Sequence, residues 1–364
     1  MRIDMHCHVV GNGRDIHNAD ADVYLYAEDN QHWFTRILYN LLDKDLKELE
    51  ADLNRDGIIS TNEYFELIYR LFSRSVEIDG IVLLALDAVY SRRTGELDEI
   101  KTDLWASNRF LSQKVKELNS RLQNEPETEM RKKRFFFGAS VNPNRKDWDA
   151  ELNYVINRTE AVLIKLIPST QHIHLQDIRH TDFYKALAAH HMPLLCHVGP
   201  EYSFPEGIRN MQLDHYKQLE RPLECGVTII AAHCASPVFA VVDKNVIKDF
   251  YKFMSDRNSD GKIRLWADTS ALSLTTRLPY IREIVETFNP DWLVNGSDFP
   301  IPIDGWTHLP LVTHDVTPEE YINICKTKNP LDRDIKIKRA HGFSDSILEN
   351  GEKVQRLPNA KTLY

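Results

Sequence analysis

The chain has 364 residues, 42% of them hydrophobic, and a net charge of −9. That length allows one large core within the range of an α/β barrel carrying insertions, and the acidic balance argues against a general nucleic-acid or anionic-membrane surface. No apolar run approaches the ~18 residues of a membrane span, and the N-terminus lacks a basic-then-apolar leader. The expectation is a cytoplasmic protein with a small-molecule partner, and a homo-oligomer is compatible with it.

The first predicted strand covers 2–8 and holds Met1-Arg2-Ile3-Asp4-Met5-His6-Cys7-His8. Side chains alternate along a strand, so His6 and His8 project from one face and Cys7 from the other. Two imidazoles on one strand end can chelate a divalent ion, although an isolated His-x-His is more often an ordinary strand end.

About seventy residues separate this strand from the next. The inserted segment, 28–75, reads as helical, with Trp33, Phe34, Tyr39, Leu41 and Leu42, followed by the loop 52–63 and a second helical run from Tyr64. The loop matches a twelve-residue EF-hand pattern at positions 1, 3, 5, 6, 9 and 12. Asp52, Asn54, Asp56 and Ser60 would supply oxygens to calcium, Gly57 the sharp turn, and Glu63 a bidentate carboxylate. The alternative is a polar turn between two helices. The preceding Lys47-Glu48-Leu49-Glu50-Ala51 lacks the large apolar residues of a usual first EF-hand helix.

Further strands are predicted at 80–87, 135–141, 161–167, 193–197, 227–233, 263–268 and 292–297. The fragment Asp256-Arg257-Asn258-Ser259-Asp260-Gly261 reads as a turn before the seventh of these eight strands. Near-continuous apolar strands alternating with helical segments indicate a parallel sheet covered by helices. Eight such units close into a (β/α)8 barrel over residues 1–350. A doubly wound sheet is the alternative, but no glycine-rich phosphate loop follows the first strand. The five cysteines, Cys7, Cys196, Cys225, Cys234 and Cys325, show no paired spacing and read as reduced thiols. Cys7, Cys196 and Cys234 adjoin histidines and would pack against the outer helices.

Barrel chemistry collects at the C-terminal strand ends. The first strand ends in His6 and His8, the fourth carries Lys165, the fifth ends in His197, the sixth in His233, and the eighth in Asn295-Gly296-Ser297-Asp298. Each alone has an ordinary structural explanation; together they place a metal-binding set on one rim.

This constellation resembles the amidohydrolase superfamily, in its amidohydrolase-related branch, over about 1–340 outside the insertion. The motifs that carry the resemblance are Asp4-Met5-His6-Cys7-His8, Ile164-Lys165-Leu166-Ile167-Pro168, Leu195-Cys196-His197-Val198-Gly199, Ala232-His233-Cys234 and Gly296-Ser297-Asp298-Phe299-Pro300. It implies that His6, His8 and Asp298 hold one metal ion. In two-ion members the fourth-strand lysine, here Lys165, is carboxylated and bridges both ions, with His197 and His233 on the second. In one-ion members His197 joins the first set and His233 becomes an acid/base group. The lysine favours the two-ion form. Zinc suits such ligands, with manganese or iron(II) as alternatives, and a catalytic zinc lowers the pKa of its water towards ~7. Asp298 would accept the proton.

The leading expectation is therefore a metal-dependent hydrolase of an amide, ester, lactone or related bond. Its rival is a non-oxidative decarboxylase of a small carboxylic acid, since relatives in the branch use a one-metal site for that reaction. A third reading is a calcium-stabilised, non-catalytic binding protein. For substrate recognition the loops offer Tyr90, Arg92, His172, His174, Tyr202, Arg209 and Trp306, each of which also reads as an ordinary surface residue.

Overall fold

The computed structural model describes residues 1–25, 33–238, 245–274, 276–301 and 316–355, apart from the side chain of Phe34. Its strands are β1 (Ile3–His8), β2 (Tyr24–Leu25), β3 (Gly80–Leu84), β4 (Leu104–Trp105), β5 (Arg134–Ala139), β6 (Ala161–Leu166), β7 (Leu194–Cys196), β8 (Ile229–Ala231), β9 (Leu265–Asp268) and β10 (Leu293–Val294). Eight of them form one sheet in the order β1-β3-β5-β6-β7-β8-β9-β10, every neighbouring pair parallel. The ends meet: Met5 N–H donates to the Asn295 carbonyl (2.9 Å), His8 N–H to that of Phe299 (2.7 Å), and Asp298 N–H to that of His6 (2.8 Å). The fold is the (β/α)8 barrel that the sequence predicts. β2 and β4 pair separately as a short antiparallel ribbon.

The strands read as continuous apolar runs because both of their faces are buried. In β5, Phe136 joins Val82, Leu195, Ile230, Trp266 and Val294 in one buried cluster. Its neighbours Phe135 and Phe137 belong to the larger layer packed with the helices. Cys7, Cys196 and Cys234 lie in that outer layer, as expected from their alternation with the histidines, and all five cysteines are free thiols. Among the described residues no helix is long and apolar enough to cross a membrane.

Within the inserted segment, helices α1 (Trp33–Glu48) and α2 (Thr61–Ser73) flank the loop 52–63. Ser60 caps α2, and Glu63 completes a reciprocal capping box that satisfies amides the first helical turn would otherwise leave bare. The insertion is tied to the barrel rim. The Tyr64 hydroxyl donates to the His8 carbonyl (2.7 Å), and its ring stacks near Phe299 with centroids 6.3 Å apart. Residues 28–32, the start of the predicted insertion, lie outside the described residues, as does the end of the chain beyond 355.

Candidate metal centre

β1 brings His6 and His8 to the C-terminal rim, and the loop after β10 returns Asp298 to them. The two Nε2 atoms stand 3.0 Å apart. Asp298 Oδ1 lies 3.2 Å from His6 Nε2 and 3.3 Å from His8 Nε2. Among the described residues this is the one group of three or more histidine, cysteine or acidic side chains whose ligand atoms converge. The chain must be tightly folded to do this. Asp298 adopts a φ of +67° and His233 one of +60°, left-handed values uncommon outside glycine. At Gly296 a Cβ would come within 2.7 Å of the His6 Cβ, so only glycine lets the β10 end pass this close to β1.

Asp268, at the end of β9, fixes the first imidazole. Its Oδ2 accepts from His6 Nδ1 at 2.7 Å, while Oδ1 accepts from the amides of His233 (2.8 Å) and Ser270 (3.0 Å) and from the Ser270 hydroxyl. A carboxylate can only accept when ionised, so the His6 proton sits on Nδ1 and the Nε2 lone pair faces His8 and Asp298. Asp4 holds the other side of the junction, accepting from the His6 amide (3.0 Å) and the Ser297 amide (2.9 Å). Burial pushes its carboxyl up to about 6.

Lys165 is fully buried on β6, and its Nζ reaches His6 Nε2 at 2.9 Å. Burial lowers its pKa, against the opposing pull of Asp268 and Asp298. His197 and His233 meet each other instead of joining the triad, with His233 Nε2 3.2 Å from His197 Nδ1. The His233 ring stacks near His6 at 5.4 Å, and its Nδ1 lies 2.8 Å from the Ser270 hydroxyl. Burial drives His6 and His233 well below the ordinary imidazole range and His197 down to about 3, leaving neutral rings able to offer lone pairs. Burial works against ionisation of Asp298, but His6, His8 and Lys165 outweigh it and hold the carboxyl below its usual range. His8 is the triad member most open to solvent, with 20% of its side chain exposed against 10% for Asp298 and 0% for His6.

The donor set fits a divalent ion. Ligand atoms about 2.1 Å from one metal stand roughly 3.0–3.4 Å from each other in octahedral or tetrahedral arrangements, the separation seen among the three atoms here. A cluster of neutral nitrogens and a carboxylate oxygen is also the composition that zinc, manganese and iron(II) prefer.

A family profile described as amidohydrolase matches residues 101–336, well over half of the chain. The chain belongs to this family. An uncharacterized TIM-barrel protein from Bordetella bronchiseptica is similar over 96% of this chain and 99% of its own, at 14% identity and a TM-score of 0.50, a likeness of fold. Two others align with TM-scores below that value. A dihydroxybenzoic acid decarboxylase from Polaromonas sp. JS666, with bound manganese and 2-nitroresorcinol, scores 0.47 at 14% identity, covering 100% of this chain and 99% of its own. The 4-oxalomesaconate hydratase of Rhodopseudomonas palustris scores 0.44 at 15% identity, covering 97% and 99%. No match was found among curated proteins. The family match and the converged donor set support an enzyme of this family that binds a divalent metal.

The other residues singled out in the sequence fare differently. In the loop 52–63, Asp52 accepts from the amides of Asp56 and Gly57, and Glu63 from those of Asn54 and Ser60. Asp52, Asp56 and Glu63 are thus not gathered into a three-ligand cluster. Asp260 pairs with Arg264 in the turn before β9. Arg92 is bound to Asp177 (2.7 Å), and Arg209 to Glu206, which also holds His172 at 2.6 Å. Trp306 lies outside the described residues. A cavity of about 230 Å³ is lined by Trp105, Arg109, Arg145 and Glu151; it does not include the triad, and its arginines are already paired with acids. Asp268 and the buried pair Asp334–Lys338 were not anticipated. Lys338 Nζ binds Asp334 and the Gly296 carbonyl, each at 2.6 Å, and Asn295 Oδ1 at 3.1 Å, which fixes the segment leading to Asp298.

Proposed function

We propose that the protein is a hydrolase that uses one divalent ion, zinc or its manganese or iron(II) equivalent, to cleave an amide, ester, lactone or related bond of a small molecule. The convergence of His6 Nε2, His8 Nε2 and Asp298 Oδ1 carries this reading. What supports one ion over two is that His197 and His233 pair with each other outside that triad. A bound divalent ion would polarise a substrate carbonyl and acidify water. Asp298, ionised at neutral pH, is the group placed to take a proton beside the ion. His233, a neutral imidazole stacked near His6, is placed to pass one.

The same observation favours a second reading, non-oxidative decarboxylation of a small carboxylic acid, because His233 remains free of the triad for proton transfer. The converged donors weigh against a non-catalytic binding protein. Metal content is measured on the purified chain, and turnover of a panel of lactones, esters, amides and carboxylic acids is followed in ¹⁸O-labelled water. Label in the organic product marks hydrolysis, while carbon dioxide release with an unlabelled organic product marks decarboxylation. Asp298→Asn should lower turnover by about 10²–10⁴. A chain that takes up no divalent ion, or an Asp298→Asn variant with wild-type turnover, refutes the reading.

A further inference from the structure

One buried cation at the rim has no use in the arrangement above. Arg277 follows β9 and stands at the N-cap of the helix Leu278–Thr287, where its amide donates to the Leu274 carbonyl (2.8 Å). The residue is 3% exposed. Its Nε and Nη1 have no hydrogen-bond partner. Other arginines on this side of the barrel differ in this respect: partly buried Arg145 is bound to Asp87 and Asp147, exposed Arg92 to Asp177 and exposed Arg209 to Glu206.

The Arg277 charge nonetheless acts on the candidate site. It is felt by His233 and His197, and it is itself influenced by Asp298, Glu201 and Asp268. Arg277 itself lies in the segment that leads from the C-terminal end of β9 to the helix Leu278–Thr287, on the same side of the barrel as the triad. A second bare polar atom lies beside Glu201. Thr170 Oγ1 is buried without a partner, and both it and the Glu201 Cγ border the place a Cβ at Gly207 would take, at 3.0 and 2.5 Å. Buried charges persist when something pairs them. Among the described residues no anion lies within bonding distance of the Arg277 Nε and Nη1, so the missing partner is one that arrives.

We propose that Arg277 is the receptor for a carboxylate of the substrate, which narrows the proposed reaction to small carboxylic acids or their derivatives that keep one free acid group. The inference rests on the reading of the triad as a metal site. A planar guanidinium fork matches a carboxylate in two parallel hydrogen bonds. The carboxylates of Asp298, Glu201 and Asp268 around it favour a singly charged ligand over a phosphate dianion.

The test uses the full-length, metal-loaded protein with benzoate and crotonate as probes, benzamide as the uncharged control and inorganic phosphate as the competing anion, all by titration calorimetry. Benzoate or crotonate should bind the wild type. Arg277→Gln should weaken that binding by about 10–100-fold, the value of a charge-assisted pair, with Arg277→Lys intermediate and benzamide unaffected. Ligand-free Arg277→Gln should melt at or above the wild-type temperature, because it removes an unpaired buried charge. Equal carboxylate affinity in wild type and Arg277→Gln overturns the proposal, as do tighter binding of phosphate, failure of both carboxylates to bind, or a fall in melting temperature for both variants. Metal content, measured first, separates the two levels. A chain without a divalent ion defeats the function proposed above. A metal-loaded chain whose carboxylate affinity ignores Arg277 defeats only this inference.

Discussion

Asp268 is the residue whose alteration most directly tests how the centre is held. It is fully buried, and its two oxygens accept from His6 Nδ1, the His233 and Ser270 amides, and the Ser270 hydroxyl. Asp268→Ala strips the acceptor from the His6 N–H and two amides at once. At about 1–3 kcal/mol for each buried donor left bare, the loss is roughly 3–9 kcal/mol, comparable with the ~5–15 kcal/mol stability of a typical domain; the expected result is a protein that folds poorly or not at all. Asp268→Asn is the sharper experiment. One amide oxygen still serves the backbone donors, but the NH₂ now faces His6 Nδ1. The imidazole must then accept there and carry its proton on Nε2, on the face where His8 and Asp298 meet. Metal affinity should fall about 10–100-fold with a much smaller change in melting temperature than for alanine. Competition with a chromogenic chelator gives the affinity, and circular dichroism gives the melt. An Asp268→Asn variant that binds zinc or manganese as tightly as the wild type would show that His6 does not owe its tautomer to Asp268.

Two further outcomes concern the scaffold. Lys338→Met leaves Asp334 buried without its cation, an arrangement that costs about 3–5 kcal/mol, and it frees the Gly296 carbonyl beside the Asp298 segment. Denaturant unfolding should show that loss, the double variant Asp334→Leu/Lys338→Met should recover part of it, and a single variant of wild-type stability refutes the role. Burial raises Asp103 to about 7, against ~3.9 for an unfolded aspartate. The folded state therefore binds its proton more tightly, and the stability this contributes is full below pH ~4 and lost as pH rises towards 7. The isosteric Asp103→Asn removes the dependence, so its stability relative to wild type should climb between pH 4 and 7, by about 4 kcal/mol at most. Urea melts at four pH values decide it, and parallel curves exclude the effect.

The barrel was legible because parallel strands buried on both faces leave long apolar runs, and because the residues that end them are chemically conspicuous. The boundaries were less so. The predicted strand 227–233 stops at Ala231, since His233, Cys234 and Ala235 all adopt left-handed φ values of 49–60° that no strand can contain. The predicted strand 292–297 likewise ends at Val294, after which Asn295 N–H turns to the Ile347 carbonyl. Asp268 was visible as the last residue of a predicted strand, and an acid ending a barrel strand beside metal-binding neighbours was signal enough to suspect it. Asp334 and Lys338 gave no such signal, because an acid and a lysine four apart on a helix read as a solvated pair and only the tertiary fold buries them.

The arginines show why the rest could not be read. Loop position made Arg92 and Arg209 sequence candidates for substrate recognition, yet each is already neutralised by an acid distant in sequence or next to it on a helix, Asp177 and Glu206. Arg277 carries no distinguishing neighbour in the chain and is the one left bare among them. Whether a guanidinium is available depends on which carboxylates the fold brings within about 4 Å, a property of pairs that no single position encodes. The histidines escaped this limit because strand alternation alone puts His6 and His8 on one face. An arginine at the end of a long flexible stem has no such rule, so its role follows from the distribution of acids around it.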